Sequence, residues 1–356
     1  MQFPGQGKPP AGVIFDSDMG NRIDAALALA LLYGLDGKNE ARVVSLSVSK
    51  SNLKAAAFCE VMGRFYSGAV SGAFRAVGRT LPIGMSTDGQ TPEDTPMIAV
   101  PLAKVNSAGA PAYNHGIHRV LDTAEVLALI RNAFTSQYDQ NCVVVVAGPA
   151  TNLAKVLGLP GVAELISRKV RYLVIAGGAF PDGPGESRIL ADIPAAKRLF
   201  AEWPTPIIAV GRDVGEHAPY PASSIEKDFA WAEAHPLVDA YRAYKSMPYD
   251  APTWDMAAVL HAVRPQEKYF RMSGSGRIDV LDDGRTKFTP SPDGKHRYLI
   301  PDDSQRERVV NTYTELASAK PAIRQPRVRQ QQVEQKKAEQ KKDEAPAPKP
   351  DAVKQP

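Results

Sequence analysis

From residue 13 to residue 211, short runs of Val, Ile and Phe alternate with longer stretches whose apolar residues recur at helical spacing. VIF (13–15) precedes a helix expected from Ile23 to Tyr33. RVVSLSVS (42–49) precedes LKAAAFCEVMGRFYSG, and VVVVA (143–147) precedes TNLAKVLGL. VRYLVIA (170–176) leads into a Gly-rich loop, and PIIAVG (206–211) follows the helix-like PAAKRLFAEW. Apolar strands separated by amphipathic helices predict an α/β fold: a doubly wound, mostly parallel sheet with helices on both faces.

After His261 the pattern changes. RIDVLDDGRTKFTPSPDGKHRYLI alternates like strands and is broken by DDG and PDG turns, which predicts a late β-hairpin or meander. A last helix is expected over 303–319. From about Lys320 apolar residues nearly vanish in favour of Gln, Lys, Glu and Pro. Such a segment cannot offset the entropy of ordering, so 320–356 reads as a disordered tail. Residues 1–11 are Gly/Pro-rich and read as a flexible lead-in, leaving 12–319 as one α/β domain.

Charge matters only once it is divided along the chain. The formal net charge is +4, yet the segment 320–356 holds ten Lys/Arg against five acids, so the body carries about −1. Acids interleaved through the tail argue against a nucleic-acid partner. No apolar run approaches the roughly 20 residues of a membrane helix, and no apolar leader opens the sequence, so the chain as supplied reads as cytoplasmic; a mature exported form would read the same. Cys59 and Cys142 lie far apart without metal spacing and read as buried free thiols.

Candidate chemistry gathers where ligands bind open α/β sheets, beyond the carboxyl ends of strands. Asp16 and Asp18 follow VIF, Ala147-Gly148-Pro149 follows VVVV, the loop Gly177–Arg188 follows YLVIA, and Asp213 follows IIAV. Asp255 stands just before another apolar helix. Carboxylates converging from separate strand ends suit a hard, oxygen-seeking cation such as calcium or magnesium. Each also has a structural reading: Asp16 as a loop brace, Asp18 as a helix N-terminal helper, Asp255 as an N-cap. Asp192, with Pro194 in the first turn, reads as a cap.

The motifs together resemble the inosine/uridine-preferring nucleoside hydrolases over roughly residues 12–265. DSDMGNRIDAALAL (16–29) is similar to that family's DTD-x-G-(ND)-x-DDALAL, and AGPATNLA (147–154) to its GPLTNLA segment. GGAFPDGPGESRILADIPAA (177–196) resembles GG…E-x-N…D-x-x-AA. VGRDVG (210–215) and PTWDMAAVL (252–260) match its later pieces. The resemblance implies hydrolysis of the N-glycosidic bond of a small-molecule nucleoside or riboside by calcium-bound water; the sequence leaves open a homo-oligomer. It implies Asp18 as metal ligand and water-activating base, with Asp16, Asp255 and the Ala147 carbonyl at the metal. Asp24, Glu186, Arg188 and Trp254 fall at the substrate.

Three departures define the alternative reading. Ala25 stands where the family has the second of two adjacent aspartates, a calcium ligand. Arg22 stands where an aspartate is frequent, and Arg188 replaces the asparagine of Glu-x-Asn; either arginine would supply positive charge where calcium is expected, for an anionic ligand or for a salt bridge that keeps the fold without the metal. Taking Asp24 as the second aspartate would put Ile23 at the sugar and shift the apolar face of the helix by one residue. The alternative is therefore a catalytically weakened or inactive homologue that binds a sugar-like or anionic ligand. A DxD phosphatase is a third reading of IFDSDMG, but Gly20 stands where that class has a hydroxyl or small apolar residue. A calcium-binding EF-hand loop fails because its twelfth position is Leu27.

Overall fold

The computed structural model describes residues 9–66 and 81–321. Expectations for the first eight residues of the lead-in and for the tail beyond 321 lie outside the described residues. Strand β1 (Ala11–Ser17) leads through a turn into α1 (Ile23–Gly37), then β2 (Ala41–Lys50), α2 (Leu53–Tyr66), β3 (Ile83–Gln90) and α3 (Pro96–Ala103). A short β4 (Ala124–Glu125) and α4 (Val126–Thr135) precede β5 (Cys142–Ala147), α5 (Thr151–Val156), α6 (Val162–Lys169) and β6 (Val170–Ala176). Next come α7 (Ser187–Ala191), α8 (Ile193–Glu202), β7 (Ile207–Val210), α9 (Arg212–His217), α10 (Ala222–Lys227), α11 (Pro236–Tyr244) and α12 (Trp254–Val263). The chain closes with β8 (Arg271–Met272), β9 (Gly276–Val280), β10 (Thr286–Pro290), β11 (His296–Ile300) and α13 (Arg306–Ala317).

The strands form one sheet in the order β10-β9-β11-β7-β6-β5-β1-β2-β3-β4, with β8 beside β11. From β11 to β4 every neighbouring pair is parallel. The chain starts in the middle, winds out through β2, β3 and β4, and returns to the other side of β1 at β5. The order therefore reverses between β1 and β5, and in open α/β sheets ligands bind beyond the carboxyl ends of strands at such a reversal.

Alternation along each strand feeds two cores. Val13 and Phe15 of β1, with Val143 and Val145 of β5, face a core shared with α1, α2, α11, α12 and α13. Ile14, Val144 and Val146 face the opposite core under α4, α5, α6 and α8. Helix α1 is buried from Ile23 to Asp36, which explains a sequence with almost no polar face. It packs against α12 and α13. Both cysteines are free and buried, and burial pushes each thiol up to about 12, in keeping with an inert packing role.

The expected α/β sheet, late hairpin and closing helix are present, with local differences. The hairpin is β9–β10 around the DDG turn, but β11 does not extend it as a meander. It joins β7 in parallel, touching β9 only at His296 opposite Gly276. The last helix divides into a 3-10 turn at Asp303–Gln305 and α13. Asp192 is the N-cap of α8, accepting from the Ala195 N–H as its sequence context predicts. Among the described residues no helix is long and apolar enough to cross a membrane.

His261 on α12 is buried, and burial alone lowers its pKa to about 4. A histidine depressed below its unfolded value near 6.5 gives stability present above that value and lost as pH falls through the folded one. Between pH 7 and pH 5 it costs about 2 kcal/mol. Urea unfolding of His261→Phe is expected to lose that much less stability over this interval than the parent chain does. Equal losses in the two proteins would show that His261 does not carry this pH dependence.

Candidate functional site

The turn after β1 carries the first half of the site. Gly20, at φ +106, takes a backbone conformation that suits glycine and turns the chain from Asp18 into α1. Gly148 after β5 lies against this turn: a Cβ there would stand 2.5 Å from the Asp18 backbone nitrogen. The Asp18 N–H donates to the Ala147 carbonyl at 3.3 Å, so the two central strand ends are locked together.

Asp18 is buried, and its two oxygens have different partners. Oδ2 accepts from Asn21 Nδ2 at 3.0 Å, and Oδ1 accepts from Arg188 Nη2 at 3.2 Å. Arg188 lies on α7, just after β6, and is 3% exposed. Its Nη1 and Nη2 also donate to Asp255 Oδ1 and Oδ2 at 2.5 and 2.8 Å, a two-pronged pair. Nη1 further reaches the Ala176 carbonyl at the end of β6, at 3.3 Å. One guanidinium thus joins carboxylates from the turn after β1 and from α12.

The electrostatics follow this geometry. Burial works against the charge on Arg188, but Asp18 and Asp255 more than reverse it and raise its pKa well above the ordinary value. Burial raises Asp255, against the pull of Arg188. Asp24 is also raised, by burial and then by the neighbouring Asp255. Its oxygens accept from the Asp255 and Met256 backbone N–H groups at 2.6 and 3.3 Å, so α1 caps the first turn of α12.

A calcium ion takes six to eight oxygen ligands, and the residues present do not fit one. The acceptor face between Asp18 and Asp255 is taken by the Arg188 guanidinium, and Ala25 on the first turn of α1 offers no side-chain oxygen. Asp16, expected at the metal, accepts instead from Ser47 Oγ and Asn152 Nδ2 at 2.5 and 2.8 Å. Burial raises its pKa to about 7. Through Oδ1 it braces β1 to β2 and α5, whereas Oδ2 is buried with no hydrogen-bond partner among the described residues. The Ala147 carbonyl, also expected at the metal, is engaged by the Asp18 N–H. Among the described residues no three His, Cys, Asp or Glu side chains are grouped to hold a metal.

The substrate-side expectations divide as well. Arg188 is packed beneath the surface between carboxylates, and Asp24 is engaged by helix N–H groups rather than facing open space. Glu186 and Trp254 do line a cavity of about 260 Å³, together with Arg22, Ser187, Arg212 and Glu216. Within it Arg22 forms an ion pair with Glu186 and donates to Ser187 Oγ. Its guanidinium lies 4.8 Å from the centre of the Trp254 ring. Burial would raise the Glu186 carboxyl, yet the Arg22 and Arg188 charges hold it below its usual range. Asp213 sits on exposed α9 and does not join the cluster.

Three participants were not foreseen. Lys50, at the carboxyl end of β2, is fully buried and donates to Asn21 Oδ1 at 2.7 Å, with burial lowering its pKa. Asn21 links that amine to Asp18. Arg212, directly after β7, lines the cavity. Lys50 and Arg212 both stand at strand ends, which is a signal available in the sequence; Asn21 lies inside the opening motif.

Comparison with known proteins bears on this arrangement. The family model described as inosine-uridine preferring nucleoside hydrolase matches residues 13–321. The match runs past residue 265 through the late hairpin and α13. No curated protein sequence matches the chain. Among solved structures, a plant nucleoside hydrolase aligns at 22% identity, covering 87% of this chain and 100% of its own, with a TM-score of 0.63. The inosine-uridine preferring nucleoside hydrolase of Bacillus anthracis aligns at 17% identity over 86% and 99%, with a TM-score of 0.63. The type III effector protein XopQ, solved in complex with adenosine diphosphate ribose, aligns at 12% identity over 89% and 96%, with a TM-score of 0.62. At these identities the likeness concerns the fold.

Removing the guanidinium leaves two buried carboxylates without their counter-charge, so Arg188→Met is expected to cost about 3–5 kcal/mol in denaturant melts. The double variant Arg188→Asn with Ala25→Asp removes the internal cation and adds a carboxylate. Its melting temperature is expected to rise with millimolar calcium, which a calcium titration by thermal melting reads directly.

Proposed function

The chain belongs to the inosine-uridine preferring nucleoside hydrolase family, and from that membership we propose a metal-independent, non-hydrolytic protein that binds a ribosyl ligand. The observation that carries this reading is the Arg188 guanidinium between Asp18 and Asp255. A bound metal lowers the pKa of its water and yields a nucleophile at neutral pH. A guanidinium has no open coordination position and is not deprotonated in proteins, so it cannot do this.

Binding is supported by the cavity against Glu186 and Trp254, and by the complex of the fold relative XopQ with adenosine diphosphate ribose.

Two measurements on the purified chain test the proposal. Inosine, uridine and adenosine are expected to release no base with or without millimolar calcium, and calcium or a chelator is expected to leave the melting temperature unchanged. A ribosyl compound is expected to raise it. Calcium-dependent base release would restore the hydrolase reading, with Asp18 as its base.

A further inference from the structure

The cavity beside Arg22 has a chemical bias that narrows the ligand. Of its two carboxylates, Glu186 is already engaged: Oε1 takes Arg22 and Ser187 Oγ, and Oε2 accepts from the Arg188 N–H at 3.0 Å. Glu216, at the outer side, pairs with Arg212 Nε at 2.7 Å. The guanidinium groups are less occupied. Arg22 uses Nη2 alone, and Arg212 uses only Nε, so among the described residues Arg22 Nε and Nη1 and Arg212 Nη1 and Nη2 have no acceptor.

Trp254 links the two segments that carry the arginines. Its indole N–H donates to the Arg212 backbone carbonyl at 3.0 Å, and its ring face carries the Arg22 guanidinium. Two guanidinium groups with free donors thus line one cavity. A neutral sugar hydroxyl both donates and accepts; apart from the outer Glu216 Oε2, the side-chain groups left free on this wall are donors. A phosphate monoester dianion only accepts, and it matches guanidinium forks in geometry. At about 260 Å³ the cavity falls just below the size that encloses a drug-sized ligand, which suits one sugar phosphate and not a whole dinucleotide.

We propose that the cavity formed by Arg22, Arg212 and Trp254 is a phosphate subsite, and that the ligand is a phosphorylated riboside whose phosphate bridges the two guanidinium groups. The proposal rests on the ribosyl-binding reading above and adds the anionic group to it. No bond is made or broken: the phosphate takes up donors that the resting protein leaves free, and the Arg22–Glu186 and Arg212–Glu216 pairs persist.

Thermal melting and calorimetric titration of the whole chain test this with four probes: ribose 5-phosphate, ribose, inosine and inorganic phosphate. Saturable binding of ribose 5-phosphate is expected, at least tenfold tighter than ribose or inorganic phosphate. Arg212 is exposed, so Arg212→Ala should fold normally and weaken that binding roughly ten- to a hundredfold, as loss of charged hydrogen bonds does. Arg212→Lys should recover part of it. Ribose or inosine binding as tightly as ribose 5-phosphate would overturn the phosphate subsite and leave the ribosyl reading standing. Inorganic phosphate binding as tightly would overturn the phosphorylated riboside as ligand. Binding unchanged in a folded Arg212→Ala would remove this site from the account, and no binding by any probe would defeat both proposals.

Discussion

One buried guanidinium organises the carboxyl end of this sheet. Arg188 is held by Asp18 from the turn after β1, by Asp255 from α12 and by the carbonyl that ends β6. Taking a guanidinium and carboxylates out of water costs several kcal/mol for each ion, and close geometry must return it. Here the geometry is close, with a two-pronged contact to one acid and a single contact to the other. The cluster is therefore weak evidence for high stability and strong evidence for position. Any residue that moves Asp18, Asp255 or α7 disturbs the same centre.

That centre explains neighbours that make little sense alone. Asp24 caps α12 through the Asp255 and Met256 N–H groups, so it fixes the helix that carries a partner of Arg188. Asn21 takes the other oxygen of Asp18 and passes a contact on to Lys50. Arg22 then covers the outer side by pairing with Glu186, which also accepts the Arg188 N–H and starts α7. The carboxylates of Asp18, Asp24, Asp255 and Glu186 are thereby engaged within the chain.

The α/β architecture was legible in the Val/Ile runs, because a strand covered on both faces needs apolar residues at nearly every position. β3 was less legible. IGMSTDGQ carries Ser, Thr, Asp and Gly, and its outer half is only partly buried, so no continuous apolar run announces it. The two-residue β4 is too short to leave a pattern. At the site, the opening aspartates and Glu186 were visible as motifs, and Arg22 and Arg188 as charges that could form a salt bridge where a metal is expected. Which acids Arg188 meets was not visible, since they lie 170 and 67 residues away. The resemblance implies it at the substrate; packing places it between buried carboxylates.

The departures from the family pattern are best understood as one change. The resemblance implies two adjacent aspartates, whose second member would join Asp18 and Asp255 around a divalent cation. Setting aside Asp16, which is the same in both arrangements, three carboxylates and a doubly charged ion leave a net charge of −1. Here Ala25 removes one carboxylate, and Arg188 supplies a single positive charge between the remaining two, which again leaves −1. Either change alone would shift the buried charge by a full unit or more, a large penalty in a low-dielectric interior. Together they keep the electrostatic balance that lets β1, α7 and α12 meet. They also exchange a site that must capture an ion for one that carries its own cation. A guanidinium holds these carboxylates together without offering a position at which water could be bound and acidified.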